Sequence, residues 1–520
     1  MPGEIHSWIR PQIRYASFGV IDHIKQVIMD AITFSRMKAI DINCAYLGLG
    51  PLQLMENAGA GIAHEISSRL NSGTVLFIAG RGNNSGDALV AARHLAIREG
   101  YRIKVLLLGR KSQIRTEEAQ ANFSLLGYSG ISEIREISDS SELKVYHGWS
   151  EADVIVDAML GSGIRGPVKE PESTAIDFVN NSGKFVISVD TPSGFDQSAD
   201  VPGKCVNADI TLTFHRMKKE LLLPGAKQFT GEVKVIGIGV CRDAEDFVGK
   251  GDLMNLRKRS PESHKGNSGR VLVIGGGPYY GAPAFAGMAA LRAGADIVTL
   301  AVPENIANTV ASFSPNLILV RSLSGDFLKP EHIPKICDLL ESHDVVVIGP
   351  GLGRGEKTLE AIAQILPLCK KAVIDADALY NISLPIQGKG ELIITPHAAE
   401  FARLAGERPP ESIEQRKEMV RAFSKEKQVV TLLKGNIDVI SDGKDVRLNR
   451  TGNAGMSVGG TGDVLAGIVG ALFTVNGAMD AACCGCFING LAGDLAFKKR
   501  GWGLLASDIV KRINIVTKEL

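Results

Sequence analysis

No uninterrupted apolar run in this chain reaches the ~18 residues that a membrane-spanning helix needs, so no segment reads as a span. The first 28 residues show no compact apolar core behind a basic start. Glu4, Asp22 and Asp30 are interspersed with Arg10, Arg14 and Lys25, which argues against a secretory signal or a transit peptide. Charge of one sign is also lacking. The 58 Lys+Arg nearly cancel the 57 Asp+Glu, and a net charge of +1 gives no bulk electrostatic case for nucleic acid or an anionic membrane. The eight cysteines are scattered and make no disulfide framework, so a reducing, cytoplasmic setting is expected. Cys483 and Cys486 are spaced like a metal or redox pair, but no second pair or nearby histidine accompanies them, and they read as one buried helix face. No internal period appears, which excludes a repeat protein.

Glycine, by contrast, is abundant: 58 of 520 residues, against ~7% in an average protein. The glycines cluster after short β-branched runs, the pattern of α/β sheets with phosphate-binding turns. The length predicts more than one domain. In the first half, strands are predicted over 75–79, 103–108, 154–157, 185–190, 210–214 and 233–238, with helices over 51–70 and 86–99. In the second half, strands are predicted over 271–274, 297–302, 317–320, 345–348, 372–374, 392–394 and 429–433. Near-continuous apolar strands alternating with helices predict parallel sheets covered on both faces. The charged stretch 241–262, with Arg257, Lys258 and Arg259, reads as a solvated linker between domains at 29–240 and 263–520.

Ligands of open α/β sheets bind outside the C-terminal strand ends, and polar segments collect there. In the second half these segments are 349–353, 375–379, 395–400 and 434–438. The most informative segment is Gly459-Gly460-Thr461-Gly462-Asp463, which runs straight into an apolar helix over 464–473. Small residues at a helix N-terminus suit a phosphate. An aspartate beside that phosphate suits removal of a proton from a substrate hydroxyl. In the first half, the strand over 75–79 leads into Gly80 to Asp87, a strand–glycine turn–helix unit suited to a pyrophosphate, although it is not GxGxxG. Asp157 and Asp190 end two further strands. With Asn84 they suggest a cation or acid–base work. The plainer readings are caps, tight turns and a surface lysine; the recurrence at successive strand ends favours sites.

Over about residues 250–515, segments 280–283, 349–353, 375–379, 395–400, 434–435 and 452–463 resemble the ADP/ATP-dependent NAD(P)H-hydrate dehydratase branch of the ribokinase-like fold. The resemblance implies that Asp463 is catalytic and that Ala282, Gly353, His397 and Asp463 contact the hydrate. It implies that Lys434, Gly435, Asn436, Ile437, Asp438 and Gly462 hold the adenine nucleotide, with Mg2+ on the phosphates. Many relatives carry threonine where Asp438 stands, leaving its role open between disfavouring the nucleotide and accepting ribose hydroxyls.

Over about residues 30–240 the motifs resemble the NAD(P)H-hydrate epimerase domain, a Rossmann-like three-layer α/β fold. That resemblance implies hydrate contacts at Asn83, Asn84, Ser85, Gly86 and Asp87, at Gly161, Ser162, Gly163, Ile164, Arg165, Gly166 and Pro167, and at Asp190. It also implies a K+ site at Asn84, Asp157 and Ser193, and Asp190 is expected to be catalytic, exchanging a proton while the hydroxyl-bearing carbon inverts through a ring-opened or an iminium intermediate. Ser85 and Ala88 replace glycines common in relatives; both are small enough to keep the loop.

Together the resemblances imply a bifunctional repair enzyme. It interconverts the R and S hydrates of NADH and NADPH and dehydrates the S form at the expense of ADP, releasing AMP and phosphate. The fused order suggests ADP rather than ATP, and a homo-oligomer is expected. Two rivals are a vitamin-precursor or sugar kinase on the same fold, and a first half that serves only as a binding scaffold. Residues 1–28 lie outside both resemblances and are expected to be an untranslated extension or a disordered tail.

Overall fold

The computed structural model describes residues 31–196, 203–319, 323–380, 382–388 and 390–519. The extension 1–28 lies outside them. The chain divides into two compact units, residues 1–240 and 241–520.

Among the described residues the first unit holds seven strands: β1 (Gly73–Ala79), β2 (Tyr101–Leu108), β3 (Glu133–Ile137), β4 (Val154–Ala158), β5 (Phe185–Val189), β6 (Ile210–Phe214) and β7 (Glu232–Ile236). They form one all-parallel sheet in the order β3-β2-β1-β4-β5-β6-β7. The order reverses between β1 and β4, which opens a crevice beyond their C-terminal ends. Helices α1 (Phe34–Tyr46), α2 (Pro51–Arg69) and α3 (Asn83–Ala96) frame it. Helix α3 starts three residues earlier than the apolar pattern predicts, so Asn83 to Asp87 form its first turn rather than a preceding loop. Strand β3 escapes the sequence pattern because it is a mostly exposed edge strand rich in charge.

The second unit holds β8 (Arg270–Ile274), β9 (Ile297–Ala301), β10 (Ile318–Leu319), β11 (Val345–Ile348), β12 (Lys371–Ile374), β13 (Glu391–Ile394), β14 (Val430–Leu433), β15 (Asp438–Ser441) and β16 (Val446–Asn449). Their order is β10-β9-β8-β11-β12-β13-β14-β15-β16, with β15 and β16 antiparallel. The predicted strand over 317–320 keeps only β10, and residue 320 lies outside the described residues. The unpredicted β15 and β16 have four residues each, too few for a periodic signal.

Side chains alternate across the second sheet. Val271, Val273, Val345 and Val347 enter one core, while Leu272, Ile274, Val346 and Ile348 enter the other. The first core is covered by α4 (Gly281–Arg292), α6 (Thr461–Phe473) and α7 (Ala478–Arg500); α5 (Ala398–Ala405) follows β13. All ten residues from Val464 to Phe473 are buried, and each large apolar side chain among them stabilises the fold by about 1.5–3 kcal/mol. A Cβ on Gly467 would sit 2.1 Å from the Ala286 carbonyl oxygen, so glycine lets α6 lie directly on α4. The helix that begins at Asp463's turn is therefore fixed in place.

The stretch 241–262 departs from the linker expectation. Val248, Leu253 and Leu256 are buried in the second unit's core, the Val248 N–H donates to the Leu448 carbonyl at 2.7 Å, and Arg447 pairs with Asp252 at 2.7 Å. Apolar residues spaced between charges marked this packed segment, and the charge masked it. Arg257, Lys258 and Arg259 are exposed as expected, with Arg259 paired to Asp296.

Candidate active sites

In the first unit a cavity of about 670 Å³ occupies the crevice between the β1 and β4 ends. Gly82 to Ser85 and Asp87 reach it from α3, Gly161 to Ile164 from the turn after β4, and Asp190 from the end of β5. Gly86 faces away, under Met55, and Arg165, Gly166 and Pro167 are not on its wall; the Gly166 N–H is bound by Asp196 at 2.9 Å.

Asp190 has φ 60, and the Thr191 N–H donates to the Val189 carbonyl at 2.7 Å, a tight three-residue turn. Left-handed backbone at a non-glycine residue is strained and marks functional positions. Here it turns the carboxylate off the strand end. The Thr213 hydroxyl donates to Asp190 Oδ1 at 3.0 Å and accepts from Lys218 Nζ at 3.0 Å. Lys218 Nζ lies 3.8 Å from the same carboxylate oxygen and also donates to the Phe214 and Arg216 carbonyls. Lys218 is fully buried, and burial lowers its pKa. Ile32 pairs with residues 217–219 in a parallel bridge, which anchors α1 beside the site.

Two carboxylates accompany Asp190. Asp41, on α1, has its pKa raised to about 6, first by burial and then by Asp190. Asp87 is raised well above the usual range, again by burial first, then by Asp190 and Asp41. Sequence reading missed Asp41 and Lys218. Asp41 lies within an ordinary amphipathic helix, and Lys218 beside Lys219 looks like a surface pair; only the fold turns either inward.

Asp157 is fully buried and accepts from the Ser188 hydroxyl and the Ser193 N–H, both at 2.8 Å, and from the Ser193 hydroxyl. The Leu160 N–H donates to Ser193 Oγ at 2.9 Å, while Asn84 Nδ2 donates to the Leu160 carbonyl at 3.3 Å. Asn84 and Ser193 thus meet at Leu160, and Asp157 holds Ser193 in place. Asn84 Oδ1 is buried without a hydrogen-bond partner, a state that costs about 1–3 kcal/mol unless something fills it.

In the second unit α6 opens at Gly460, whose φ of 95 favours glycine and where a Cβ would sit tightly, 3.0 Å from Phe285 and Ala506. A Cβ on Gly462 would lie 3.5 Å from Lys434 Nζ, so the ammonium stands beside the first turn of α6. Lys434 pairs with the buried Asp375 at 2.9 Å, and the Thr395 hydroxyl orients the same carboxylate at 2.7 Å. Burial alone pulls the Lys434 pKa down; Asp375, Glu400 and Asp463 more than offset it, and the net shift is upward. Asp463 is raised to about 7, first by burial and then by Asp375. Its carboxylate therefore titrates where a general base is most effective.

The Lys434 N–H donates to the Pro396 carbonyl at 2.9 Å, which joins segments 395–400 and 434–438. His397 caps α5: Nδ1 accepts from the Ala399 and Glu400 N–H groups at 3.1 and 3.3 Å. An accepting Nδ1 leaves the proton on Nε2, which lies 3.3 Å from the buried Glu400 Oε1. Asp438 uses both oxygens on its own chain, one for the Gly435 N–H and one for Asn449 Nδ2, each at 2.9 Å. Its oxygens therefore brace the Gly435–Ile437 turn. Burial raises it to about 6. Gly353, held by Asp377 at 2.9 Å, lines a separate cavity of about 490 Å³ that neither Asp463 nor Lys434 borders; Ala282, in the first turn of α4, is not on its wall either.

Residues 271–514 match the family model described as NAD(P)H-hydrate dehydratase, and residues 51–220 match that of the YjeF-related protein N-terminus. The bifunctional NAD(P)H-hydrate repair enzyme Nnr of Archaeoglobus fulgidus is 43% identical over 485 residues, covering 93% of this chain and 98% of that one. Its counterpart from Methanothermobacter thermautotrophicus is 44% identical over 492 residues, covering 92% and 93%. A crystal structure of the Bacillus subtilis ADP/ATP-dependent NAD(P)H-hydrate dehydratase, co-crystallised with ATP and Mg2+, is 28% identical, with a TM-score of 0.47, over 53% of this chain and 98% of that one. Identity sustained across both units at once, rather than over either unit alone, means that this chain belongs to the family of bifunctional NAD(P)H-hydrate repair enzymes.

Proposed function

We propose that the first unit interconverts the R and S hydrates of NADH and NADPH, and that the second returns the S hydrate to NADH or NADPH with ADP as phosphoryl donor. The observation that carries the reading is the arrangement at the start of α6. A base titrating near neutrality, Asp463, stands in the same turn as Gly462, against which Lys434 Nζ is held.

In the second unit Asp463 takes the proton of the substrate hydroxyl, whose oxygen forms a bond to the terminal phosphorus of ADP as the bond to AMP breaks. The phosphate ester then loses phosphate and a proton from the neighbouring carbon, and the electron pair of that C–H bond closes the ring double bond. Lys434 and the first amides of α6 stabilise the charge on the transferring group. Lys434 to Asp438 and Gly462 hold the nucleotide, Ala282 and His397 contact the hydrate, and Gly353, in a cavity that Asp463 does not border, would contact it away from the reacting carbon.

Mg2+ fits as an ion carried on the nucleotide phosphates, since among the described residues no group of three acidic, histidine or cysteine side chains converges to hold one. When bound it neutralises phosphate charge. In the first unit Asn84, Asp157 and Ser193 would hold K+; an all-oxygen donor set with an unpartnered, buried Asn84 Oδ1 suits a hard monovalent cation. It would supply a fixed positive charge beside the substrate-binding wall formed by Asn83, Asn84, Ser85, Asp87 and Gly161 to Ile164. Asp190 is the acid–base group.

The protein is further proposed to act in the cytoplasm as a homo-oligomer on small molecules, without nucleic acid or membrane partners. None of the eight cysteines is in a disulfide, and no described helix is long and apolar enough to cross a membrane.

The test is return of the reduced-nicotinamide absorbance from an R/S hydrate mixture, with K+, Mg2+ and either ADP or ATP. Full recovery with ADP is expected. Recovery only with ATP would replace the donor. Recovery that stops at the S half, beyond spontaneous conversion, would reduce the first unit to a scaffold. A stable phosphorylated product would favour a kinase.

A further inference from the structure

Inversion at a hydroxyl-bearing carbon needs proton transfer on two faces of the ring. The hydroxyl must leave from one face with a proton added, and water must arrive at the other with a proton removed. A single carboxylate serves both faces only if the substrate turns over within the site.

The first unit's cavity holds a second carboxylate that the fold does not use. Asp41 lines it from α1, whereas Asp190 lines it from the end of β5. Among the described residues the Asp41 side chain makes no hydrogen bond and no ion pair, although α1 is firmly placed. Thr33 caps the helix, Ile32 bridges to Lys218, and the Phe34 N–H donates to Glu220 at 3.2 Å. The charged groups facing Asp41 are Asp87 from α3, Asp190 from the β5 end, and His215 and Lys218 from the segment after β6. Lys38 of α1 shares the wall.

We propose that Asp41 is a second catalytic carboxylate of this site, delivering a proton to the departing hydroxyl while Asp190 removes one from the water that arrives on the opposite face. The inference rests on the epimerase reading above. Asp41 transfers its proton to the hydroxyl oxygen, the carbon–oxygen bond breaks with its electron pair leaving on water, and the ring nitrogen lone pair forms the iminium double bond. Water then bonds to the same carbon from the other side, the iminium pair returns to nitrogen, and Asp190 takes the extra proton. The proton gained by Asp190 balances the one lost from Asp41, and exchange with solvent resets the pair.

Asp87 is the competing donor, but its surroundings exclude it. Burial first, then Asp190 and Asp41, push its pKa up, and no cation offsets them, so nothing stabilises the anion that donation would leave. Asp41 has Lys218 and His215 to stabilise the anion left after donation. It can therefore both hold and release a proton.

The experiment uses the full chain with K+ and no nucleotide, so that only R/S interconversion is followed, with the epimers separated by chromatography. D41N is expected to lose about 100-fold in kcat with KM little changed, and D41E to regain most of that loss. Wild-type kcat/KM is expected to fall as pH rises through about 6, a limb that D41N should lack. An unaltered rate in folded D41N, or a loss confined to KM, overturns the proposal. If D41N fails to fold, judged by its melting curve, D41E and the wild-type profile decide: an inactive D41E together with a flat profile overturns it. Wild-type protein that interconverts the epimers no faster than buffer removes the epimerase reading itself, a different failure from an active wild type with an indifferent Asp41.

Discussion

Both units place an aspartate at the mouth of a largely parallel sheet and back it with a lysine, fully buried at Lys218 and half-buried at Lys434, yet the two lysines stand in different places. Lys434 lies in a tight pair with Asp375 and touches the first turn of a long helix, so its positive charge adds to that of the helix N-terminus. Lys218 lies behind Asp190, with Thr213 between them, and faces a cavity that also holds Asp41 and Asp87. The first arrangement favours an arriving anion. The second leaves three carboxylates competing for protons around one cation, which suits proton transfer. The position of one ammonium thus separates phosphoryl chemistry from acid–base chemistry on similar α/β architectures.

The strongest way to break this comparison is to exchange a single atom in each base. D463N is expected to lower dehydration by about 1,000-fold or more and to leave R/S interconversion intact. D190N should do the reverse, losing about 100-fold in interconversion while S-hydrate dehydration persists. Loss of both activities in either variant would mean that the two centres do not work independently.

The lysines give the next contrast. K434A strands a buried carboxylate, which costs about 3 kcal/mol of stability, and should raise the KM for nucleotide. K218M leaves Asp190 its Thr213 hydrogen bond and should slow interconversion about 10-fold without touching nucleotide use. A K434A protein with unaltered nucleotide KM would remove the lysine from the phosphate site.

A milder test is pH. Asp463 has to be ionised to accept a proton, and its carboxyl is raised to about 7, so dehydration kcat/KM should climb as pH rises through about 7 and then level. A profile already flat from pH 5 upward would place the base elsewhere.

The smallest effect concerns Asp438. Its folded pKa, about 6, exceeds the ordinary 3.8. The unfolded chain therefore ionises first, and this residue's contribution to stability declines as pH rises from 3.8 to 6. D438T removes that dependence, loses hydrogen bonds worth about 1 kcal/mol each, and should keep most dehydratase activity if the carboxylate only braces the turn. A large rise in nucleotide KM would restore the ribose contact.

Much of the site was legible because glycine and aspartate at strand ends are chemically conspicuous. Gly460 and Asp463 are conspicuous in the sequence, as are Asp157 and Asp190. The bracing role of Asp438 was not legible, since Asn449 approaches it only once β15 and β16 pair. The packed part of 241–262 was hidden by its charge.

Periodicity and composition by themselves determined two α/β units, since apolar β-branched runs buried on both faces permit little else. They also determined which strand ends carry polar loops. The tertiary structure alone decided which of those loops meet, because strand order is set by long-range pairing that no local pattern encodes. It brought Asp41 and Lys218 to Asp190 across 149 and 28 positions of chain, and it set Lys434 against α6. Burial then moved their proton affinities, and burial is a property of the folded neighbourhood rather than of the residue.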